Sequence, residues 1–316
     1  MSKRIWILGG TGYIGRELTK HLAQSNNYHL HLLVHEHIPF QLLERHSLFI
    51  GSLETFDWSW LEQYPPDIIF HLARLGGSRS ITRSLASKAG AKANERLIRY
   101  LLNMPSPPVV VYVSGSLVYG PQQEGMAADE NAAWNPVAYA RYYLNAEKPW
   151  LSTQYHSLLD IRFARPGWIA GSGSWVETFY VKPYVNSGSI PLYGSGRQLM
   201  SLVHITDCVS QIVNLAERGA YKQDLNVFAG PPVTQQEFAE RLAHQLNTTV
   251  ESLPVEKIRK LYGQTVTEAL TTSIPMTTLY PQLNSSPSLN YPDVSSIVKA
   301  ISSFFEHKQG ILPVTP

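Results

Sequence analysis

The sequence predicts an α/β protein built on a doubly wound parallel sheet, with a smaller C-terminal lobe. In the first half, short apolar runs alternate with helical patterns, as they do in βαβ units. A glycine-rich turn joins the first apolar run to a helical pattern. After Pro166 the sequence pattern changes, because frequent glycines separate shorter segments by loops. This change predicts the second lobe.

Five apolar runs predict strands that are buried on both faces of the sheet. They are Ile5–Leu8, Leu30–Val34, Ile68–Leu72, Val109–Ser114 and Ile161–Ala164. A helix that starts near Ala91 should end before Pro105, since proline cannot continue it.

A further strand at Asn226–Phe228 indicates that the chain returns to the first domain before Thr234–Leu246 forms another helix. We therefore predict a first domain over 1–165, re-entered by about 202–230, and place most of the second lobe in 166–316.

Composition excludes several classes of function. The net charge is only +2, with basic and acidic residues interspersed, so no nucleic-acid partner is expected. The single cysteine, Cys208, cannot form an internal disulfide, which favours a reducing compartment. No run approaches 18 apolar residues and the short basic start lacks a cleavage site, so we expect a cytoplasmic protein without a membrane partner.

The glycine turn consists of Gly9, Gly10, Thr11, Gly12, Tyr13, Ile14 and Gly15. Its glycines allow a tight turn, close approach of the backbone to a pyrophosphate and close packing of the next helix on the strand. The N-terminus of that helix offers N–H groups and the positive end of a dipole to phosphates. This Rossmann-like unit predicts a dinucleotide-binding site, although a tight turn that binds nothing has the same pattern.

Four histidines alternate along the second predicted strand: His29, His31, His35 and His37. Nothing nearby completes a set of metal ligands, so we predict no metal site.

Several further motifs follow the turn in a specific order. They are Asp67–Ala73, Asn94, Val118–Gly120, Tyr139 with Leu144 and Glu147, Arg165–Pro166, and His204–Asp207. Together they resemble the extended short-chain dehydrogenase/reductase superfamily, which includes NAD-dependent epimerases and dehydratases. The resemblance extends from Lys3 to about Leu246, and it implies that Leu72, Ala73 and Asn94 also line the cofactor site.

The resemblance implies a catalytic tyrosine, a lysine four residues later and a serine or threonine. Tyr139 fits the tyrosine, but Tyr143 stands at the lysine position and no neighbouring residue replaces the lysine. Gly115 stands at the serine position, and we choose Ser116 over Ser114 as its substitute. The alternative is that Tyr139 and Tyr143 are packing aromatics.

A free tyrosine is almost entirely a neutral phenol at neutral pH, and position 143 supplies no cation that would stabilise a phenolate. A neutral phenol still donates a proton, so Tyr139 is expected to act as a proton donor.

The cofactor is predicted to be NADP or NAD, with NADP favoured. His35 lies about where an acidic residue would bind the ribose of NAD, and Glu36 is one residue out of place. Arg16, just beyond the third glycine, suits a 2′-phosphate.

Substrate residues depart from the family pattern too. Met200 occupies the position at which sugar-nucleotide enzymes have a phosphate-binding arginine, and a thioether cannot neutralise phosphate. We therefore expect a small, non-nucleotide substrate. His204 and Asp207 are interpreted as structural hydrogen-bonding residues, whereas Trp168 and Trp175 could wall a ligand or pack in a core.

Three functions remain open. The first is an NAD(P)-dependent oxidoreductase or epimerase/dehydratase-like enzyme that uses Tyr139 and Ser116. The second is an inactive NAD(P)-binding regulatory protein, and the third is a non-redox lyase or cyclase. The resemblance also implies a homodimer.

Overall fold

The computed structural model describes residues 2–35, 46–76, 80–285 and 288–309. Its main sheet has seven strands, which lie in the order β11-β6-β5-β4-β1-β2-β3. They are β1 (Lys3–Leu8), β2 (Tyr28–Val34), β3 (Ser47–Ile50), β4 (Ile68–His71), β5 (Val109–Val113), β6 (Ile161–Pro166) and β11 (Leu225–Val227). The pairings from β3 across to β6 are parallel, so the predicted fold class is confirmed.

Helices account for most of the remaining regular structure. They are α1 (Tyr13–Leu22), α2 (Trp60–Gln63), α3 (Ser80–Leu102), α4 (Ala138–Leu151), α5 (Thr153–His156), α6 (Lys182–Ser187), α7 (Ile205–Arg218), α8 (Gln235–Gln245), α9 (Val255–Tyr262), α10 (Gln264–Thr271), α11 (Pro281–Asn284) and α12 (Val294–Gln309). A 3₁₀ turn spans Ser116–Val118 and a π turn spans Glu177–Val181. Within the ranges described, no helix combines the length and apolar character needed to cross a membrane.

The chain divides into two compact units. Unit 1 comprises residues 1–115, 140–165 and 209–225, and unit 2 comprises residues 116–139, 166–208 and 226–316. The predicted boundaries at 165 and near 202–230 come from the pattern of strands and helices in the sequence, whereas the units are groups of residues that lie close in space. These boundaries stay a prediction.

In unit 1, alternate residues of the strands face one apolar core. Trp6, Ile69, Tyr112 and Phe163 belong to this core, together with Leu97 and its neighbours on α3. The intervening residues, such as Ile7 and Phe70, are also buried. A sheet covered on both faces has this pattern, and it explains why its strands are continuous apolar runs.

Unit 2 contains the short strands β7 (Trp168–Ala170), β8 (Ile190–Tyr193), β9 (Leu199–Met200), β10 (Leu202–His204), β12 (Val233–Thr234) and β13 (Val250–Leu253). They pair two by two as β10-β7, β12-β9 and β13-β8. The core of this unit is rich in aromatic residues, among them Tyr180, Tyr193 and Phe238. Trp175 packs edge-on against Trp168 and Tyr180, so both tryptophans belong to this packing.

The structure corrects two predicted elements. The helix expected near Ala91 begins at Ser80, because its first three turns are rich in small and polar residues that give no apolar period. Strand β3 was not predicted, since it is a short edge strand with exposed residues at both ends.

Candidate functional site

The glycine turn joins β1 to α1. Gly9 has a φ of +92°, and the N–H groups of Gly9 and Gly10 donate to the Leu33 carbonyl at 3.0 and 3.2 Å. A Cβ on Gly9 would lie 3.0 Å from the Ala73 nitrogen, and one on Gly15 would lie 2.1 Å from the Gly9 oxygen. These close approaches explain why glycine is needed at both positions.

Helix α1 presents an uncapped N-terminus at this turn. Gly12 is its N-cap, no side chain among the described residues caps it, and its first turn contains no acidic residue. The first N–H groups of a helix have no acceptor within it, and the helix dipole makes this end positive. A Cβ on Gly12 would meet only the Gly9 oxygen, at 3.2 Å. The residues present therefore fit the phosphates of a dinucleotide.

The other predicted cofactor residues lie at the carboxyl ends of neighbouring strands. His35 follows β2 and is exposed, whereas Leu72 and Ala73 follow β4 and are half-buried. Arg16 is exposed on the first turn of α1, alongside the half-buried Tyr13 and Ile14 and close to the half-buried Thr11. Their contacts with a cofactor stay a prediction, and Glu36 and His37 lie outside the described residues.

Asn94 is buried on α3 and bonds within the protein. Its Oδ1 accepts from Nε2 of His71 at 2.8 Å, and its Nδ2 donates to the Ala146 carbonyl on α4 at 2.7 Å. Burial lowers the pKa of His71 to about 4, so this imidazole is neutral at pH 7. Asn94 thus connects β4, α3 and α4, and its predicted cofactor contact is not tested by these bonds.

Tyr139 and Ser116 occupy different environments. Tyr139, in the first turn of α4, is 42% exposed. Ser116 is buried in the 3₁₀ turn that follows β5. Their catalytic roles stay predictions.

One turn further along α4, Tyr143 occupies the position of the family's lysine. Its ring is buried, and its hydroxyl lies 3.4 Å from the Gly115 carbonyl oxygen. A Cβ on Gly115 would lie 3.4 Å from the Tyr143 hydroxyl oxygen, which is an ordinary contact. The two positions that depart from the family pattern therefore contact each other.

The Tyr143 ring contacts a cation, Arg74, that was not predicted from the sequence. The central guanidinium carbon of Arg74 is 4.4 Å from the ring centroid, within the range of a cation–π interaction. Its Nη2 also donates to the carbonyls of Val113 and Ser114, at 2.9 and 2.7 Å. Arg74 comes from the segment after β4, 69 positions before Tyr143, so no spacing rule along α4 could find it. The signal available was its place directly after Ala73, at the carboxyl end of a predicted strand.

Glu147 is fully buried one turn after Tyr143. In the described part of the chain, no hydrogen bond of ordinary length reaches either Glu147 carboxyl oxygen or the Ser114 hydroxyl. Burial raises the pKa of Glu147, and Asp224 adds to this effect. Arg74, the nearby Ser114 hydroxyl and Arg165 offset part of it.

The substrate-side motifs are structural in unit 2. Asp207 accepts from the backbone N–H groups of Asn290 and Tyr291, at 2.9 and 2.8 Å, and from the Asn290 side chain. The His204 ring packs 3.9 Å from the Tyr291 ring. These contacts agree with the structural roles predicted for His204 and Asp207. Met200 is buried in β9, and Arg197 is exposed.

The alternating histidines do not share one environment. His31 is buried and its ring stacks on Trp6 at 5.3 Å, while His29 is exposed. Burial lowers the pKa of His31 to about 4. Among the residues that the structure describes, no three metal-ligating side chains of the His, Cys, Asp or Glu type come together.

Comparison with known proteins defines the class. Residues 5–227 match the model of the NAD dependent epimerase/dehydratase family. This match spans more than half of the chain, so the protein belongs to that family, which confirms the resemblance seen in the sequence.

Individual relatives are distant. The chain is 24% identical over 276 residues to the epimerase family protein SDR39U1 homolog, chloroplastic, of Arabidopsis thaliana, covering 84% of this chain and 77% of that protein. Among solved structures, human epimerase family protein SDR39U1 with NADPH matches with a TM-score of 0.75 and 19% identity, over 95% of this chain and 99% of the other. The dTDP-glucose 4,6-dehydratase of Bacillus anthracis, in complex with NAD, also has a TM-score of 0.75, at 16% identity and 98% coverage of both chains. The two structures show a shared fold.

Proposed function

We propose that the protein is an NAD(P)-dependent enzyme of the epimerase/dehydratase or carbonyl-reducing type. The observation that carries this proposal is the glycine turn, in which Gly15 has no room for a Cβ while no side chain of the described ranges caps the N-terminus of α1. A turn this tight directs the first N–H groups of the helix toward an anion. The family match and the cofactors named with the two solved structures, NADPH and NAD, support a nicotinamide cofactor.

In this proposal the bound cofactor supplies or accepts a hydride. Tyr139 donates a proton to the substrate oxygen as a neutral phenol, and the Ser116 hydroxyl bonds the same oxygen. Proton abstraction by Tyr139 would need a phenolate, which the family's lysine stabilises, whereas proton donation needs only the neutral phenol. The replacement of that lysine by Tyr143 therefore affects proton donation less than proton abstraction.

We further propose NADP as the preferred cofactor. Arg16 is exposed beside the turn, and exposed His35 follows β2 where NAD enzymes often carry an acidic residue. A guanidinium suits the additional phosphate of NADP.

The proposed substrate is a small molecule without a nucleoside diphosphate. Met200 is buried among apolar residues of unit 2, where it cannot bind a diphosphate. Arg197 is the nearest basic residue in the sequence, and it is exposed three residues away. From the resemblance alone, we also propose a homodimer, which analytical ultracentrifugation of the purified protein tests. The composition and the single cysteine support a cytoplasmic location, which fractionation of the host cell tests.

A second candidate is an NAD(P)-binding regulatory protein that has lost turnover. The contact between Tyr143 and Gly115 favours it, because both residues replace groups that the family uses in catalysis. This candidate predicts cofactor binding without any activity that depends on Tyr139, whereas a non-redox lyase or cyclase would turn over without nicotinamide.

The test is a fluorescence titration of the purified protein with NAD, NADH, NADP and NADPH. Gly12→Glu places a negative charge at the N-terminus of α1, and Ala23→Glu places the same charge at its exposed C-terminal end. We expect binding that Gly12→Glu abolishes and Ala23→Glu leaves unchanged. If none of the four cofactors binds at millimolar concentration, the proposal is wrong.

A carbonyl-substrate screen with Tyr139→Phe then separates the enzyme from the regulatory protein. Loss of turnover in this variant supports the enzyme, and unchanged turnover removes Tyr139 from the mechanism.

A further inference from the structure

The backbone of Arg74 lies next to the glycine turn. The position of a Cβ on Gly9 is 3.0 Å from the nitrogen and 3.1 Å from the Cα of Ala73. Arg74 is the next residue, so its backbone leaves β4 directly beside the turn proposed to bind the dinucleotide phosphates.

The sheet order indicates which half of a dinucleotide Arg74 would meet. In the order β5-β4-β1-β2, the turn after β1 lies between β2 on one side and β4 and β5 on the other. In sheets of this kind, the residue at the end of the second strand binds the adenosine ribose. A dinucleotide whose phosphates lie at the turn therefore extends its other half over β4 and β5. The Arg74 backbone leaves the end of β4, and its guanidinium bonds two carbonyls at the end of β5.

The Arg74 guanidinium is held in place by the protein, and some of its N–H groups are not used by the described residues. Its Nη2 is occupied by the Val113 and Ser114 carbonyls, and the Tyr143 ring supports its face. Its Nε and Nη1 make no hydrogen bond with the described part of the chain, and Arg74 is exposed, so a ligand can reach them. An arginine fixed in this way loses little conformational entropy when a ligand accepts from the remaining donors.

Behind Arg74 lies a buried polar cluster, consisting of Glu147 and Ser114. Glu147 is 0% exposed, and in the described part of the chain no hydrogen bond of ordinary length reaches its carboxyl oxygens or the Ser114 hydroxyl, although the two groups are close enough for Ser114 to lower the pKa of Glu147. Buried polar groups without partners are rare in proteins and are concentrated at functional sites. Glu147 also interacts electrostatically with Arg74. The cluster therefore adds buried polar groups to the strand end at which the Arg74 guanidinium is held.

We propose that Arg74 is a cofactor-binding residue that replaces the missing lysine and bonds the ribose on the nicotinamide side of the dinucleotide. The Tyr143 ring occupies the lysine position and supports a cation that arrives from β4 instead of from α4. This inference rests on the proposed function, because it requires that the protein bind a nicotinamide dinucleotide.

Three probes of increasing length test the assignment: ADP, ADP-ribose and NADH. ADP lacks the second ribose, ADP-ribose contains it, and NADH adds the nicotinamide. The variant Arg74→Gln removes the charge but keeps an amide that can donate to the backbone carbonyls. Loss of a charged hydrogen bond should weaken binding of ADP-ribose and NADH by about tenfold or more. Binding of ADP should stay within about twofold of wild type, because ADP lacks the bonded ribose.

Restoring a lysine provides a second readout. In the Arg74→Gln background, Tyr143→Lys should recover most of the lost affinity for ADP-ribose. In the wild-type background the same change places two cations together and removes the aromatic support, so it should weaken binding. Arg99→Gln removes an exposed arginine from α3 and serves as the matched control.

Each outcome has a distinct meaning. If wild type binds none of the probes, either as written or with the 2′-phosphate of NADP added to each, the proposed function fails. If wild type binds and Arg74→Gln binds ADP-ribose equally well, Arg74 is only a structural brace and the inference is overturned. Equal weakening of ADP and ADP-ribose would instead place Arg74 at the diphosphate and overturn the ribose assignment. Should thermal melting show that Arg74→Gln does not fold, Arg74→Lys, which keeps the charge but loses the planar fork, is expected to weaken binding of the same two probes.

Discussion

Replacing Gly15 with alanine should destabilise the protein by about 2 kcal/mol. The new Cβ would lie 2.1 Å from the Gly9 oxygen and 3.0 Å from two Gly10 backbone atoms. Cβ atoms essentially never approach another heavy atom within 3.0 Å, so α1 and the Gly9 carbonyl must separate by about 0.9 Å. No side-chain rotation can relieve the contact, because all three atoms belong to the backbone.

The magnitude follows from two opposing effects. Overpacking of this severity costs about 3 kcal/mol, the upper end of the usual range. Alanine in place of glycine in a helix returns about 1 kcal/mol. The difference is the expected loss in the free energy of unfolding.

Urea unfolding followed by circular dichroism measures this loss, and Gly90→Ala is the matched control. Gly90 lies within α3, and its added Cβ would meet only the Ala146 Cβ, at 3.2 Å. The Ala146 Cβ cannot rotate away either, but here the neighbour has to give by only a few tenths of an ångström. Because the helix gains about 1 kcal/mol from alanine, this variant should be about as stable as wild type. An unfolding midpoint for Gly15→Ala at or above that of wild type would refute the reasoning.

Further predictions concern the buried polar groups. Burial lowers the pKa of His71 from 6.5 to about 4, so the free energy of unfolding should fall as the pH drops from 6.5 toward 4. In urea unfolding at a series of pH values, His71→Gln should reduce this fall by up to about 3 kcal/mol, whereas the control His29→Gln should leave it unchanged. Asp207→Ala should lower the free energy of unfolding by about 2 kcal/mol, measured in the same way, because three donors from Asn290 and Tyr291 lose their acceptor. Burial raises the pKa of Glu147, so its ionisation costs stability as the pH rises; Glu147→Gln should therefore gain stability over wild type at pH 8, and the gain should shrink below pH 4.5 when thermal melts are compared.

The strands and the glycine turn were predictable because their signals are local. Ile5–Leu8 and Ile68–Leu72 are apolar runs whose burial on both faces leaves a continuous mark in the sequence. The start of α3 was not predictable in this way, since small and polar residues near Ser80 show no apolar period.

The candidate site was predictable only in part. The turn and Tyr139 follow from spacing along the chain, but Arg74 reaches Tyr143 from another strand end. Spacing rules describe neighbours on one helix, and a contact across 69 positions depends on the order of strands in the sheet. The absence of a lysine at position 143 was therefore visible in the sequence, while the cation on its ring was not.

The two hydrogen bonds of Asn94 have a consequence for how strongly a ligand can be held. They tie the end of β4 to α4 before any ligand arrives, because both partners belong to the protein. The entropic cost of ordering the end of β4 against α4 therefore falls on folding and not on association with a ligand. A ligand that lies against β4 meets a preorganised surface, so even a few polar contacts can give useful affinity.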